Sequence, residues 1–374
     1  MKLKIFYPNY DNSISGIPNA ILHHYGFKTE TRGLPPLDKA LSRHPKNVIF
    51  LILDGMGIDM LEHNLSRFSF LRRHIKTQIS SVFPPTTVAA TTTFYSGQSP
   101  VEHGWLGWSP YFKDLNCVVE IFTNKNYYTG KPVSENVSEK IPYVHIFDKI
   151  KSADTNVHLT EIFPSFIKPN GASDFDDMCS KIKEQSTHDG PQFILAYWPN
   201  PDSSSHEFGP YSKEVKTVLK NLNAKVKHLC TELTDSLVII SADHGHVENK
   251  GDIFINNYPD LLDCLQLPLS LDCRVQAVFL KENREDMFLA LFEKYLSKEF
   301  LLFKTEDALK MHLFGYGKPH PLAKDFLGDY LIISKAQKSL IQRFENDAYI
   351  HLTGAHSGLT NQEMLVPLIL VEKA

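Results

Sequence analysis

The chain has 374 residues, and its 39 basic and 43 acidic residues give a formal net charge of −4. This balance offers no general basic surface for phosphate backbones, which argues against a nucleic-acid coat protein. Five scattered cysteines without a CxxC pair make a disulfide scaffold or a thiolate zinc site an unfavourable interpretation. No apolar run approaches the ~18 residues of a membrane span, and no signal-peptide pattern opens the chain. We therefore expect a cytoplasmic protein with a large core.

Four short apolar runs bounded by turn residues are predicted to form strands, at residues 48–53, 193–198, 236–242 and 365–371. Such runs are typical of strands that a parallel sheet buries on both faces. Apolar residues recur at helical spacing in two of the intervening stretches, at residues 173–185 and 212–231. The alternation predicts an α/β protein with an open sheet and right-handed crossovers.

A carboxylate follows the first predicted strand, in the segment NVIFLILDGMG. Asp54 stands at the strand end, and Gly55 and Gly57 allow a sharp turn after it. Molecules and ions that bind to open α/β sheets lie beyond the carboxyl ends of the strands. Asp54 is therefore a candidate binding residue. An Asp in this position is more often a cap or turn residue, so this motif alone does not decide.

A threonine-rich helix is predicted next, in the segment FPPTTVAATTTFYSG. The helix begins at Thr86 or Thr87 and runs through Tyr95, with Gly97 near its C-terminal end. A hydroxyl at a helix N-terminus faces unpaired N–H groups, at a place that also binds phosphate. The competing interpretation is a simple N-cap threonine.

Two Asp–His pairs follow the second and third of the four predicted strands. Asp202 and His206, in NPDSSSHEFGP, are four residues apart, a spacing that places both side chains on one face of a helical turn. That pair also fits a turn with an Asp cap and a surface histidine. Asp243 and His244, in ADHGH, are adjacent at a strand end, and capping does not easily explain two such ligands side by side.

A glycine-flanked histidine precedes the last strand, in GAHSG. With the preceding motifs it completes three carboxylates and three imidazoles near a helix-start threonine: Asp54, Asp202, Asp243, His206, His244 and His356. This mixed nitrogen and oxygen set suits Zn²⁺ or Mn²⁺ better than Ca²⁺. Six side-chain ligands suit two ions about 4 Å apart, which would clamp the oxygens of a phosphoryl group.

These segments together resemble the nucleotide pyrophosphatase/phosphodiesterase (type I phosphodiesterase) family of the alkaline phosphatase superfamily. The matching stretches are LILDGMG, FPPTTVAATTTFYSGQSPVEHG, NPDSSSHEFGP, ADHGH and GAHSG, which follow the family's order over almost the whole chain. The resemblance implies one alkaline-phosphatase-like catalytic domain over residues 1–374, in which helices sandwich a central, mostly parallel sheet and cap elements are inserted. Residues 250–330 are expected to form an inserted subdomain.

The resemblance also implies roles for the candidate residues. Thr87, rather than Thr86, would be the nucleophile. One divalent ion, zinc with manganese as the alternative, would be bound by Asp202, His206 and His356. A second would be bound by Asp54, Asp243, His244 and the Thr87 hydroxyl.

The sequence departs from the family pattern at two positions. In many relatives an asparagine after the H-G pair helps to hold non-bridging phosphate oxygens, but here Trp108 occupies that position, in EHGWLGWSPY. His246, in DHGHV, is the second departure. It is interpreted as a partner of a metal ligand or a substrate contact, with an ordinary surface histidine as an equal alternative.

The predicted activity is metal-dependent hydrolysis of a phosphodiester or pyrophosphate bond in a small phosphorylated substrate, with nucleotides among the candidates. A monoester's extra negative oxygen is commonly bound by an arginine fork, and none of the metal motifs contains arginine. Trp108 or Tyr111, in an aromatic-rich stretch at residues 103–147, would be a platform for a base, unless these rings serve core or lid packing.

Other reactions of the same superfamily remain alternatives. A phosphomonoesterase or a mutase-like phosphoryl-transfer enzyme would use the same frame. A sulfatase needs a Cys or Ser that is converted to formylglycine, which Thr87 does not provide. A non-enzymatic binding protein is disfavoured, because six idle ligands at strand ends are costly to keep. The oligomeric state is not predicted.

Overall fold

The computed structural model describes residues 2–344 and 349–374. Its strands are β1 (Asn47–Leu53), β2 (Ile75–Ser80), β3 (Tyr111–Phe112), β4 (Cys117–Glu120), β5 (Lys125–Asn126), β6 (His158–Ile162), β7 (Gln192–Trp198), β8 (Ser236–Ser241), β9 (Val247–Glu248), β10 (Asp252–Phe254), β11 (Ser270–Asp272), β12 (Val275–Val278), β13 (Phe300–Lys304), β14 (Tyr330–Ser334), β15 (Ser339–Ile341), β16 (Gly354–Ala355) and β17 (Leu365–Lys373).

The α-helices of the described residues are α1 (Gly16–His24), α2 (Pro35–Leu41), α3 (Ile58–Asn64), α4 (Phe70–Arg73), α5 (Thr87–Ser96), α6 (Pro100–His103), α7 (Ile146–Ala153), α8 (Phe175–Ser186), α9 (Asp202–Phe208), α10 (Lys213–Glu232), α11 (Pro259–Leu262), α12 (Glu285–Tyr295), α13 (Thr305–Lys310), α14 (Ala323–Leu327) and α15 (Asn361–Met364). None of these helices is both long and apolar enough to cross a membrane.

A six-stranded mixed sheet forms the centre of the molecule, in the order β2-β17-β8-β1-β7-β6. β1 pairs in parallel with β7 and β8, and β7 pairs in parallel with β6. Every residue of β1 and β8 is buried, so both faces of the sheet are covered. The apolar faces of α1, α5, α8 and α10 join the same hydrophobic core. The predicted α/β class is confirmed.

The last strand differs from its prediction in direction. β17 is buried as expected, but it runs antiparallel to both β8 and β2. Apolar character predicts burial on both faces and carries no information about strand direction. The direction follows from the connection, because the chain enters β17 from α15, at the edge where β1 and β8 end.

The predicted helix boundaries agree with the structure. α5 begins at Thr87, with Thr86 as its N-cap, and ends at Gly97 in the left-handed conformation with φ of 71°. α8 and α10 have side-chain N-caps at Asp174 and Ser212, each of which accepts a hydrogen bond from the first turn. These caps explain why both helices begin within two residues of the predicted start.

A second, antiparallel sheet lies beside the first, in the order β11-β12-β14-β13. Its apolar side chains join residues near α5 and α6 in a separate hydrophobic cluster. A bridge between Ser109 and Leu271 ties this sheet to the segment that follows α6. The sheet spans residues 270–334, and the assignment of residues 250–330 as an inserted subdomain stays a prediction.

Candidate active site

The parallel strands bring the predicted ligands to one edge of the sheet. Asp54 follows β1, Asp202 begins the helix after β7, and Asp243 and His244 follow β8. His356 follows β16, directly before the turn that leads to α15. Because neighbouring parallel strands end at the same edge, Asp54, Asp202 and Asp243 converge although up to 189 positions separate them. His356 comes to the same place from β16, which pairs antiparallel with β9 in a separate two-stranded sheet.

The first cluster contains Asp202, His206, His246 and His356, whose potential ligand atoms all lie within 4.8 Å of one another. Asp202 Oδ1 is 3.2 Å from His206 Nε2 and 3.8 Å from His356 Nε2. The four-residue spacing of Asp202 and His206 does lie on a helical turn, in α9.

The second cluster contains Asp54, Asp243 and His244, which are all buried. His244 Nε2 is 3.4 Å from Asp54 Oδ1 and 3.4 Å from Asp243 Oδ2. The imidazoles of His244 and His356 stack with their centroids 3.8 Å apart. The two clusters therefore adjoin through these rings.

The Thr87 hydroxyl lies against the second cluster. Its Oγ1 is 3.2 Å from His244 Nε2 and 3.5 Å from Asp54 Oδ2. Thr86 Oγ1 instead donates a hydrogen bond to Asp272 Oδ2 at 2.8 Å. Of the two threonines, Thr87 is thus the one that contacts the candidate ligands.

The second cluster has the character of a cation site. Asp54 Oδ1 and Asp243 Oδ2 are buried oxygens with no hydrogen-bond partner, and buried carboxylate oxygens are costly without one. Burial raises the pKa of Asp54 well above its usual range, and the nearby carboxylates of Asp243 and Asp202 raise it further. A divalent cation would supply the missing partner and relieve this repulsion, so the residues fit a metal.

Backbone carbonyls orient the imidazoles. Nδ1 of His206 is 2.8 Å from Gly354 O, and Nδ1 of His244 is 3.1 Å from Gly245 O. Nδ1 of His356 is 3.1 Å from Pro85 O. An Nδ1–H group that donates to a carbonyl leaves the Nε2 lone pair facing the cluster, as in metal-bound histidines.

His246 is a buried member of the first cluster, with only 1% of its surface exposed. Its Nε2 is 2.7 Å from Asp202 Oδ1, while its Nδ1 has no partner. Burial lowers the pKa of His246 to about 4, despite the opposing effect of Asp202. The neutral ring donates from Nε2 and holds Asp202. The surface interpretation of His246 is wrong, and the interpretation as a partner of a candidate ligand agrees with the geometry.

Other contacts at the site were not foreseen from the sequence. Tyr197 OH donates a hydrogen bond to Asp54 Oδ2. The backbone N–H groups of Gly55 and His244 each donate to Asp243 Oδ1 at 3.0 Å. A tyrosine inside an apolar strand gives no local signal of this role, because its contact partner belongs to the neighbouring strand.

The aromatic stretch after α6 is partly packing. The Trp105 ring is buried, and its Nε1–H donates to Ile141 O at 2.7 Å. Tyr111 is also buried, and its ring lies against Phe279. Trp108 is half-buried, with its ring edge-on to Phe122. Of the two residues predicted as a platform for a base, Trp108 is the one that keeps exposed surface.

The family of the chain can be determined by comparison with known proteins. A family model described as "Type I phosphodiesterase / nucleotide pyrophosphatase" matches residues 48–357, which is most of the chain. The chain belongs to this family. The predicted resemblance is confirmed, and the match includes Asp54, Thr87, Asp243 and His356.

Curated members of the type I phosphodiesterase/nucleotide pyrophosphatase family share moderate identity with the chain. Ectonucleotide pyrophosphatase/phosphodiesterase family member 1 of Mus musculus is 25% identical over 199 residues, covering 47% of this chain and 21% of that protein. The bis(5'-adenosyl)-triphosphatase of Homo sapiens is 25% identical over 267 residues, covering 65% of this chain and 57% of that protein. The chain thus spans between about a fifth and three fifths of these relatives.

Solved structures support the fold. The murine ectonucleotide pyrophosphatase/phosphodiesterase 5 superposes with a TM-score of 0.66 at 17% identity, over 86% of this chain and 87% of that chain. Phosphonoacetate hydrolase from Sinorhizobium meliloti gives a TM-score of 0.64 at 14% identity, over 88% and 91%. At these identities the likeness concerns the fold, and it confirms the predicted alkaline-phosphatase-like architecture.

Proposed function

We propose that this family member is a metal-dependent hydrolase of phosphodiester or pyrophosphate bonds, with Thr87 as its nucleophile. The observation that carries the proposal is the position of the Thr87 hydroxyl. It lies at the N-terminus of α5, within 3.5 Å of both His244 and Asp54. A hydroxyl beside a cluster of carboxylates that can bind a cation is suited to nucleophilic attack on phosphorus.

Two divalent ions, zinc with manganese as the alternative, are proposed as cofactors. Asp202, His206 and His356 would hold one ion. Asp54, Asp243, His244 and Thr87 would hold the other. When bound, such ions lower the pKa of a coordinated hydroxyl and stabilise the charge that develops on the phosphoryl oxygens.

The chain's own groups then carry out the remaining steps. Thr87 Oγ1 gives up its proton to solvent and attacks phosphorus, while Asp54, whose Oδ2 lies 3.5 Å away, stays an ionised ligand. The N–H groups of the first turn of α5 have no intrahelical acceptor, and the Thr86 side chain does not cap them. They are free to donate to a non-bridging oxygen. The P–O bond to the leaving group breaks as the P–Oγ1 bond forms, and the departing alcohol or phosphate oxygen takes up the proton that Thr87 released. Water then attacks phosphorus in the phosphothreonine, the P–Oγ1 bond breaks, and Oγ1 recovers a proton from that water.

A diester or pyrophosphate is proposed over a monoester, because the arginine beside the site is fully engaged. Arg274 Nε and Nη2 donate to Glu363 at 2.6 and 2.9 Å, and Nη1 and Nη2 donate to the carbonyls of Lys338 and Ala336. This guanidinium therefore has no free fork for a dianionic phosphate.

A nucleotide is proposed as part of the substrate. One relative is named a bis(5'-adenosyl)-triphosphatase, and a murine relative was solved as an inactive threonine-to-alanine variant in complex with AMP. These names support both the nucleotide and a threonine that matters for activity. The half-buried Trp108 ring is the proposed stacking surface for the base.

Replacement of the nucleophile tests this function. Thr87→Ala should lower hydrolysis of bis(p-nitrophenyl) phosphate at least about 10³-fold, whereas Thr87→Ser, which keeps a hydroxyl, should retain measurable turnover. The control Thr217→Ala removes a hydroxyl from the exposed face of α10 and should match the wild type. Elemental analysis should find metal in all variants. Substantial hydrolysis by Thr87→Ala would contradict the proposal.

The monoesterase or mutase-like alternative is tested with the same enzyme. The proposal expects kcat/KM for bis(p-nitrophenyl) phosphate to exceed that for p-nitrophenyl phosphate. A strong monoester preference would replace the diesterase assignment with the alternative.

A further inference from the structure

We propose that Asp272, contributed by the second sheet, is a specificity-determining residue that disfavours dianionic phosphomonoesters and so selects diesters. The inference rests on the proposed function and extends it to a residue outside the predicted ligand set. It depends on where the Asp272 carboxylate lies, which groups contact it and what charge it leaves in the site.

Asp272 is hydrogen-bonded to the residue before the nucleophile and to the residue after a ligand histidine. Its Oδ2 accepts a hydrogen bond from Thr86, the residue before Thr87, at 2.8 Å. The Ser357 side chain, next to His356, also hydrogen-bonds to it. The half-buried carboxylate at the end of β11 is thus fixed to both chain segments that flank the reacting centre.

The charge of Asp272 also acts on the first cluster. Burial alone would lower the pKa of His206, but Asp202 raises it to about 9, with a smaller rise from Asp272. The Asp272 carboxylate, which also contacts the residue next to Thr87, is therefore close enough for its charge to act on a proposed metal ligand.

The groups that contact Asp272 leave its charge uncompensated. The donors are the Thr86 hydroxyl, the Ser357 hydroxyl, and the Cys273 thiol and backbone N–H, the last at 2.7 Å, and all of them are neutral. Arg274, two residues further along, forms an ion pair with Glu363 and so does not neutralise Asp272.

The residue opposite Asp272 in the antiparallel backbone pairing supplies no positive charge either. Ser109 and Leu271 exchange backbone hydrogen bonds of 2.8 Å in both directions. Antiparallel pairing then sets Trp108 across from Asp272. An indole ring carries no formal charge, so Trp108 supplies no counterion to the Asp272 carboxylate.

The charge balance then distinguishes the two ester classes. Two divalent ions would balance the ionised threonine and the three ligand carboxylates, Asp54, Asp202 and Asp243. Asp272 leaves one negative charge beyond that balance. A diester carries one negative charge and a monoester close to two at neutral pH, so the monoester is repelled more strongly.

The test removes this charge and keeps the shape. Asp272→Asn retains an oxygen that accepts from Thr86, and Asp325→Asn removes an equal charge from the exposed side of α14. We expect D272N to raise the ratio of monoester to diester kcat/KM by about tenfold or more. D325N should leave the ratio unchanged.

A binding measurement separates charge selection from a general effect on catalysis. In the Thr87→Ala background, calorimetry should show that D272N tightens binding of inorganic phosphate about tenfold relative to diethyl phosphate. An unchanged ratio in both experiments, or equal changes for both ester classes, would overturn the inference and leave the diesterase intact. If hydrolysis by the parent enzyme does not depend on Thr87, the proposed function itself is refuted instead.

Discussion

At the scale of single residues, backbone groups that hydrogen-bond to the proposed metal ligands fix the geometry of the site. Three imidazoles direct Nδ1 to backbone carbonyls, and Asp243 accepts two backbone N–H groups through Oδ1. Asp243 Oδ2 has no hydrogen-bond partner, and the Nε2 atoms of the three imidazoles lie within 3.2–3.8 Å of the cluster carboxylates. The folded chain therefore holds its ligand atoms in place before any cation arrives, which lowers the cost of binding one.

His246 provides a test of this support. His246→Ala removes the N–H that holds Asp202, and we expect affinity for the first metal to fall about 10- to 100-fold. His246→Gln, whose amide can donate, should recover part of the loss. His228→Ala, on the exposed face of α10, is the control. Metal affinities are read by competition with a chelator, and an unchanged affinity in H246A would show that His246 has no positioning role.

At the scale of elements, a buried ion pair joins the second sheet to the segment between His356 and α15. Arg274 follows β11, Glu363 lies in α15, and both side chains are fully buried. Glu363 also accepts from the Gly358 N–H at 2.7 Å, two residues after His356. The pair thus fixes the turn that carries His356 against the second sheet.

Breaking the pair should be costly. Arg274→Met leaves a buried, unpaired carboxylate, and we expect it to lower the free energy of unfolding by about 3–5 kcal/mol. The double variant Arg274→Met/Glu363→Gln should recover part of that loss, because no charge remains unpaired. Lys281→Ala, which breaks an exposed pair with Asp263, should cost below about 1 kcal/mol. Urea unfolding measures all three, and an R274M cost as small as that of K281A would contradict the role of the pair.

The loop after β8 depends on a glycine. A Cβ at Gly245 would lie 2.1 Å from Gln362 O, which is backbone that cannot move aside alone. We expect Gly245→Ala to displace His244 and to cost about 1–3 kcal/mol or more, with loss of metal from the second cluster. Gly130→Ala meets open space but adds left-handed backbone strain at a φ of 65°, so it should cost some stability and keep its metal. Full metal content and stability in G245A would contradict this packing argument.

At the scale of the whole molecule, the ends of parallel strands made much of the site predictable. Asp54, Asp202 and Asp243 follow buried apolar strands, so local sequence places them at one edge. Tyr197 and Asp272 were not assigned, and the choice among the roles of His246 stayed open, because their contacts are with residues distant in sequence. The antiparallel direction of β17 was missed because burial on both faces does not encode direction.

Two whole-chain predictions stand beside the described architecture. We propose that residues 250–330, which include most of the second sheet, are an inserted subdomain. The cytoplasmic location expected from cysteine usage also stays a prediction, and the five cysteines are free thiols in the structure.

Metal removal should destabilise the whole chain, because the ligands come together only in the folded state. Chelation is expected to lower Tm. It should lower the free energy of unfolding by about 2.7 kcal/mol for each site whose free metal concentration had been 100 times its Kd. Added zinc should restore Tm in calorimetry, including in Thr87→Ala, which keeps the other ligands. A Tm that is insensitive to chelator and to zinc would count against a native metal centre.

Anomalous diffraction from zinc-loaded crystals would show whether two cations bind at the proposed site beside the Thr87 hydroxyl. We expect two strong peaks, about 4 Å apart. One should lie among Asp202, His206 and His356, and the other among Asp54, Asp243 and His244 with Thr87 Oγ1 in contact. Peaks elsewhere, or full occupancy of only one of the two positions, would contradict the proposed two-cation site.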